Sequence, residues 1–135
     1  MEQVSLLIRE VEVQSRRTKQ KDAIRGVLEE SPRAFSVPEI HMESMKSIPN
    51  IGIATVYRQV GILTEKGVLN VVRLPGDPLR FEWADKKKHH HFKCIDCNRV
   101  FDIDCHPGVY EDVLPDKFEL TSHELFMYGR CGCMK

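Results

Sequence analysis

The sequence predicts an α+β protein in two lobes, with helices closed by a β hairpin ahead of a small α/β lobe. Three observations point there. Apolar residues recur at helical spacing between Thr18 and Leu63. Two β-prone runs flank Pro75-Gly76-Asp77-Pro78. Beyond Lys86-Lys87-Lys88 the character changes, and every cysteine and every histidine except His41 lies there.

Taken in order, Ala23, Ile24, Val27 and Leu28 mark a helix over about Thr18–Glu30 that Pro32 stops, with a separate helix at about Val4–Val13 before it. Ser36-Val37-Pro38-Glu39 reads as a capping box, so a helix of about ten residues starts there and ends before Pro49. Ile53, Val56, Tyr57, Val60 and Leu63 form the apolar stripe of a third helix ended by Gly67, with Thr55, Arg58 and Gln59 off that stripe. Val68–Leu74 and Leu79–Trp83 then supply the hairpin. Helices followed by a hairpin is the winged-helix order. The lysine run reads as a solvated hinge, which divides the chain into residues 1–85 and 86–135, and the second lobe holds short strands and a helical stretch near Val109–Leu114.

Composition narrows the class. The apolar share of 41% suits a globular protein, and each lobe alone has little surface to bury. No run reaches the roughly 20 apolar residues of a membrane span, and the opening residues do not read as a signal peptide, so no membrane partner and a cytoplasmic location are expected. The net charge of zero gives no global support to nucleic-acid binding. The distribution does, because Arg16, Arg17, Lys19, Lys21 and Arg25 face only Asp22 in their stretch.

Five cysteines in a reducing compartment suit metal better than disulfides. Cys94-Ile95-Asp96-Cys97 is a CxxC knuckle and Cys131-Gly132-Cys133 is a second pair, so four thiolates around Zn²⁺ would make a closed structural site. The CxC bite is tight. Cys133 is therefore the least secure ligand, and Cys105 is the alternative.

Gly52-Ile53-Ala54-Thr55-Val56-Tyr57-Arg58 followed by His89-His90-His91-Phe92-Lys93-Cys94-Ile95-Asp96-Cys97 resembles the ferric uptake regulator family. Arg17-Thr18-Lys19-Gln20-Lys21, Phe81-Glu82-Trp83 and Tyr128-Gly129-Arg130-Cys131 extend the resemblance over nearly the whole chain. It implies a winged-helix DNA-binding domain and a dimerisation domain with structural zinc. It also implies a homodimeric repressor that reads double-stranded operator DNA under control of a metal ion, and no enzyme.

Carried over by position, the regulatory ligands are Glu82, His89, His91 and Asp102. Their chemistry agrees, since His89 and His91 share one face of a strand and nitrogen with oxygen donors suit Fe²⁺, Mn²⁺ or, in vitro, Zn²⁺. The zinc-sensing branch generally adds a cysteine before the histidines, and this chain has none before Cys94, which favours iron or manganese. Relatives usually carry a sensor histidine just before the helix that starts here at Ser36. This chain has Arg33-Ala34-Phe35 instead, with His41 a weak substitute. A further site in some relatives maps to His90 and His123 with a carboxylate such as Glu111, although Lys88 stands where that site often has histidine.

On this reading Arg16, Arg17 and Lys19 contact phosphates, Tyr57 and Arg58 lie at the groove, and Thr55 and Gln59 reach base edges. Asp102 is also the commoner residue of the peroxide-responsive branch, which leaves a peroxide-stress regulator as the alternative. A metal-dependent hydrolase or a metal-storage protein is the rival from another class. The first lacks a separate nucleophile and a phosphate-cradling loop.

Overall fold

The computed structural model describes residues 2–105 and 110–134. Its first element, α1 (Glu2–Leu28), is one 27-residue helix rather than the two expected. Nothing between Val13 and Thr18 breaks a helix, because Gln14-Ser15-Arg16-Arg17 contains neither glycine nor proline. Only its last turns enter the core, through Ile24 and Leu28, while Val4, Leu6, Leu7, Ile8, Val11 and Val13 are exposed.

Strand β1 (Arg33–Ser36) follows, an element the sequence did not announce. Ser36 then caps α2 (Val37–Ser44) as a capping box, with its hydroxyl accepting from the Glu39 amide and Glu39 accepting from the Ser36 amide. Helix α3 (Ile53–Glu65) buries Val56, Val60 and Leu63, and Gly67 at φ 75° turns the chain out of it. The stripe is narrower than its spacing implied, since Ile53 and Tyr57 are exposed. The hairpin of β2 (Leu69–Val72) and β3 (Arg80–Trp83) matches the expected runs, with Gly76 at φ 71° in its loop.

The C-terminal lobe adds β4 (His89–Cys94), β5 (Val100–Asp104) and β6 (Phe126–Gly129). The helical stretch expected near Val109–Leu114 is a single 3₁₀ turn at Glu111–Val113, and Val109 lies outside the described residues. All six strands form one sheet in the order β2-β3-β1-β5-β4-β6. Every neighbouring pair is antiparallel except β4 with β6.

Strand β1 joins the lobes. It pairs through Phe35 and Ser36 with Phe81 and Arg80 of β3, and through Arg33 and Ala34 with Phe101 and Val100 of β5. The main core lies under the helices and includes Ile24, Leu28, Ile40, Val56, Val60 and Leu69. Each such aliphatic contributes about 1.5–3 kcal/mol by leaving water. A second core spans the junction itself, with Val72 and Leu74 of the wing against Ala34 and Val100.

Candidate metal centres

Pleating decides what β4 offers. Alternate residues point to opposite faces, so His89 and His91 turn one way and His90 the other. Asp102 of β5 stands directly across from His91, and Glu82 of β3 reaches the same point from the wing. One ligand atom from each of Glu82, His89, His91 and Asp102 lies within 4.8 Å of the others.

The separations are short. Glu82 Oε2 is 2.9 Å from His89 Nε2 and 3.0 Å from His91 Nε2, the two Nε2 atoms are 3.1 Å apart, and Asp102 Oδ1 is 3.5 Å from His89 Nε2. Ligands at about 2.1 Å from one ion in tetrahedral or octahedral geometry are about 3.0–3.4 Å apart, so the four residues fit a single ion. Two details support the fit. Asp102 Oδ1 is solvent-excluded with no hydrogen-bond partner among the described residues. His89 donates from Nδ1 to the Lys87 carbonyl at 2.7 Å, which leaves its Nε2 lone pair for an ion.

Charges at the cluster follow from its contacts. Burial alone would push the Glu82 carboxyl up, but hydrogen bonds from His91 and His89 hold it below its ordinary value. Burial works against the His89 imidazolium too, yet the Lys87 carbonyl and the Glu82 and Asp102 carboxylates raise its pKa. His90, on the opposite face, has its pKa lowered by burial and by His123.

The lysine run is not a wholly solvated hinge. Lys87 and Lys88 are exposed, but Lys86 turns inward and donates to Asp102 Oδ2 at 2.7 Å and to the Arg33 carbonyl at 3.2 Å. It is also 3.7 Å from Glu82 Oε2. The ammonium thereby ties β1, β3 and β5 together beside Ala34. His41 is not part of this cluster, and its Nε2 lies 2.8 Å from the Ile51 carbonyl.

Cys94, Cys97, Cys131 and Cys133 form a second cluster within the same limit. Cys94 Sγ is 3.9 Å from Cys133 Sγ, and Cys97 Sγ is 3.8 Å from Cys131 Sγ. Four thiolates at about 2.3 Å from a tetrahedral zinc are about 3.8 Å apart. Amide N–H groups of Cys97 and Cys131 point at the Cys94 sulfur and pull its thiol down to about 6. Cys133 is pushed up to about 12 by its bond with Cys131, by burial and by the other thiols. Sulfurs so close cannot all ionise unless a cation joins them.

Cys105 is absent from that cluster and lies with His90 and His123 in a third one. Glu111, the carboxylate expected there, is not a member; it is exposed on the 3₁₀ turn. The spacing of Cys105 gave no signal of this, because its histidine partners come from β4 and from the loop before β6.

The DNA candidates lie apart from these clusters. Arg16, Arg17 and Lys19 are exposed on α1, and Tyr57 and Arg58 are exposed on α3 with Thr55 and Gln59 half-buried beside them. Across the sheet, Arg80 donates to Glu39, to Asp77 Oδ2 at 2.5 Å and to the Asn98 carbonyl at 2.6 Å, and Lys93 meets Asp77 Oδ1 at 2.7 Å.

Residues 12–128 match the ferric uptake regulator family. The chain belongs to that family. It is similar to the ferric uptake regulation protein of Campylobacter jejuni, 29% identical over 85% of this chain and 76% of that protein. Among solved structures it is similar to a zinc-bound manganese uptake regulator, with a TM-score of 0.75 and 26% identity over 82% of this chain and 86% of that one. The Helicobacter pylori ferric uptake regulator follows with a TM-score of 0.64 and 25% identity, over 97% and 93% of the two chains. Regulators of this family are metal-responsive transcriptional repressors that bind DNA as dimers, and they are not enzymes. The chain is accordingly a transcription regulator, with a Cys₄ cluster compatible with structural zinc and a glutamate–histidine cluster compatible with a regulatory metal. Among the described residues no helix is long and apolar enough to cross a membrane.

Proposed function

We propose that this chain acts in the cytoplasm as a homodimeric repressor of specific operator DNA, with residues 1–85 binding DNA and residues 86–135 forming the dimer and sensing metal. The observation that carries this reading is the convergence of Glu82 from the wing with His89, His91 and Asp102 of the sensor strands. Fe²⁺ or Mn²⁺ is the regulatory ion, in keeping with the oxygen-and-nitrogen donor set and with the iron and manganese regulators among the relatives. When bound, it would supply the positive charge that draws both carboxylates and both imidazoles to one point.

The chain's own residues do the rest. Glu82 reports the position of the wing, His89 and His91 present Nε2 from a rigid strand, and Lys86 holds one oxygen of Asp102 so that the other faces the cluster. Cys94, Cys97, Cys131 and Cys133 hold the structural zinc and pin the end of β6 to β4. Arg16, Arg17 and Lys19 contact phosphates, while α3 presents Tyr57, Arg58, Thr55 and Gln59 to the groove.

The test is a titration of Mn²⁺ and Fe²⁺ against the protein bound to its own promoter fragment, beside a scrambled duplex. Metal should tighten the promoter complex selectively. Arg58→Ala should weaken it, and Arg16→Ala should weaken both duplexes and flatten the salt dependence by about one unit. Equal affinity for both duplexes at every metal concentration would overturn the reading.

A further inference from the structure

Of the three consecutive lysines in the connection between β3 and β4, Lys87 and Lys88 face solvent and Lys86 does not. Its side chain is 14% exposed, beside 7% for Glu82 and 16% for Asp102, so the three charges sit together largely out of water. The ammonium donates to Asp102 Oδ2 at 2.7 Å and to the Arg33 carbonyl at 3.2 Å, and it lies 3.7 Å from Glu82 Oε2. That last oxygen is the one on which His89 Nε2 and His91 Nε2 also converge. One carboxylate oxygen is thus shared between the imidazoles of the regulatory cluster and a cation built into the chain.

Two opposed effects follow from this placement. By holding Oδ2, Lys86 leaves Oδ1 of Asp102 directed at the cluster, which favours an entering ion. By its charge, it neutralises one of the two carboxylates that the ion would use, and it repels the ion itself. The second effect is the larger. Asp102 is also placed by the register of β5, which sets it across from His91, so the hydrogen bond from Lys86 is only part of what aims it. The charge has no such substitute. An ion held about 2.1 Å from Glu82 Oε2 is within about 6 Å of the ammonium, less than the screening length of roughly 8 Å in physiological salt, and the buried surroundings weaken the repulsion little.

We propose that Lys86 sets the metal threshold of the regulatory site, as an internal cation with which the entering divalent ion competes. The proposal rests on the reading of Glu82, His89, His91 and Asp102 as the regulatory centre, and it adds what tunes the affinity of that centre. An ammonium has no lone pair, so Lys86 is not a ligand but a positioning residue that acts through Asp102 and Glu82. Two carboxylates against one ammonium leave a single net negative charge among these side chains, a weaker attraction for a divalent ion than the pair alone would exert. The same contacts keep Glu82 and Asp102 together before any ion arrives, when their like charges would otherwise push them apart. The site therefore fills only at a raised metal concentration, with its residues already in place.

Calorimetric titration of Mn²⁺ into full-length protein, with its structural zinc retained, tests the competition. Lys86→Met removes the charge and the hydrogen bonds, Lys86→Gln removes the charge and keeps a donor, and Lys86→Arg keeps both. The first two should each bind Mn²⁺ about tenfold or more tighter than wild type, while Lys86→Arg stays within about threefold of it. A residue that only supported Asp102 would move affinity the other way, by the roughly 10–100-fold loss typical of such partners. Without added Mn²⁺ both neutral variants should melt below wild type, and saturating Mn²⁺ should raise their melting temperatures by more than it raises that of wild type. His89→Ala in the same titration should lose the binding, which ties the signal to this cluster. Weaker or unchanged Mn²⁺ binding in both neutral variants, or equal tightening in Lys86→Arg, would overturn the role of Lys86. Since these affinities are read without DNA, a promoter that ignores metal would sink the repressor reading alone. Neutral variants that bind Mn²⁺ like wild type while metal still controls the promoter would sink only the threshold role.

Discussion

Glu82 is the residue on which coupling should hang. His89, His91 and Asp102 all sit on the sensor strands, whereas Glu82 belongs to the wing, so only Glu82 distinguishes a wing held close from one held away. Glu82→Ala should keep metal binding through the other three ligands, while the metal-induced gain in promoter affinity, roughly 5–150-fold for couplings of this kind, falls to nearly nothing. Calorimetry beside a promoter-binding assay on the same variant checks this, and a full metal response would count against it. Cys94 makes a second case at this scale. Its side chain is fully buried and accepts from two amides, so Cys94→Ser should lower zinc content and melt the C-terminal lobe at a lower temperature. Unchanged zinc and an unchanged melting curve would refute the role.

At the scale of elements, the wing hairpin is fastened to the sensor lobe by charge. Asp77 in the hairpin loop accepts from Arg80 of β3 and Lys93 of β4, and these bonds outweigh burial and hold its pKa below the ordinary aspartate value. A depressed folded pKa means stability that is fully present above the unfolded value of about 4 and is lost as pH falls through the folded one. Asp77→Asn should therefore cost about 1–2 kcal/mol at neutral pH, with the gap to wild type narrowing below about pH 4. Denaturant melts at a series of pH values would show it, and a pH-independent gap would argue against the ion pairs. The same elements show what a sequence discloses. Ser36 and Glu39 announced α2, and Val56, Val60 and Leu63 announced α3, because capping and helical spacing are local signals. His89, His91 and their carboxylates were legible through strand alternation together with the family resemblance. Strand β1 was not, since Arg33-Ala34-Phe35-Ser36 is extended only by virtue of partners in β3 and β5. Lys86 was hidden in a run that reads as solvent-facing, and Cys105 finds its histidines only after the sheet has formed.

For the molecule as a whole, one sheet runs through both lobes with β1 at the join. Cleavage at the exposed Lys87 and Lys88 should therefore nick the chain without separating it, and the two pieces should elute together until denaturant is added. Pieces that part in native buffer would mean that the proposed boundary at residue 85 divides independent bodies. Strand β1 has a further consequence for the chain as it is made. The helical core can form once β3 has left the ribosome, but one edge of β1 then stays unpaired until Val100–Asp104 arrives. During that interval the nascent protein displays a short open strand edge, the kind of template on which chains pair with the wrong neighbour. Only four residues long and opened by Arg33, β1 is a poor such template. The shortness of β1 thus protects the growing chain.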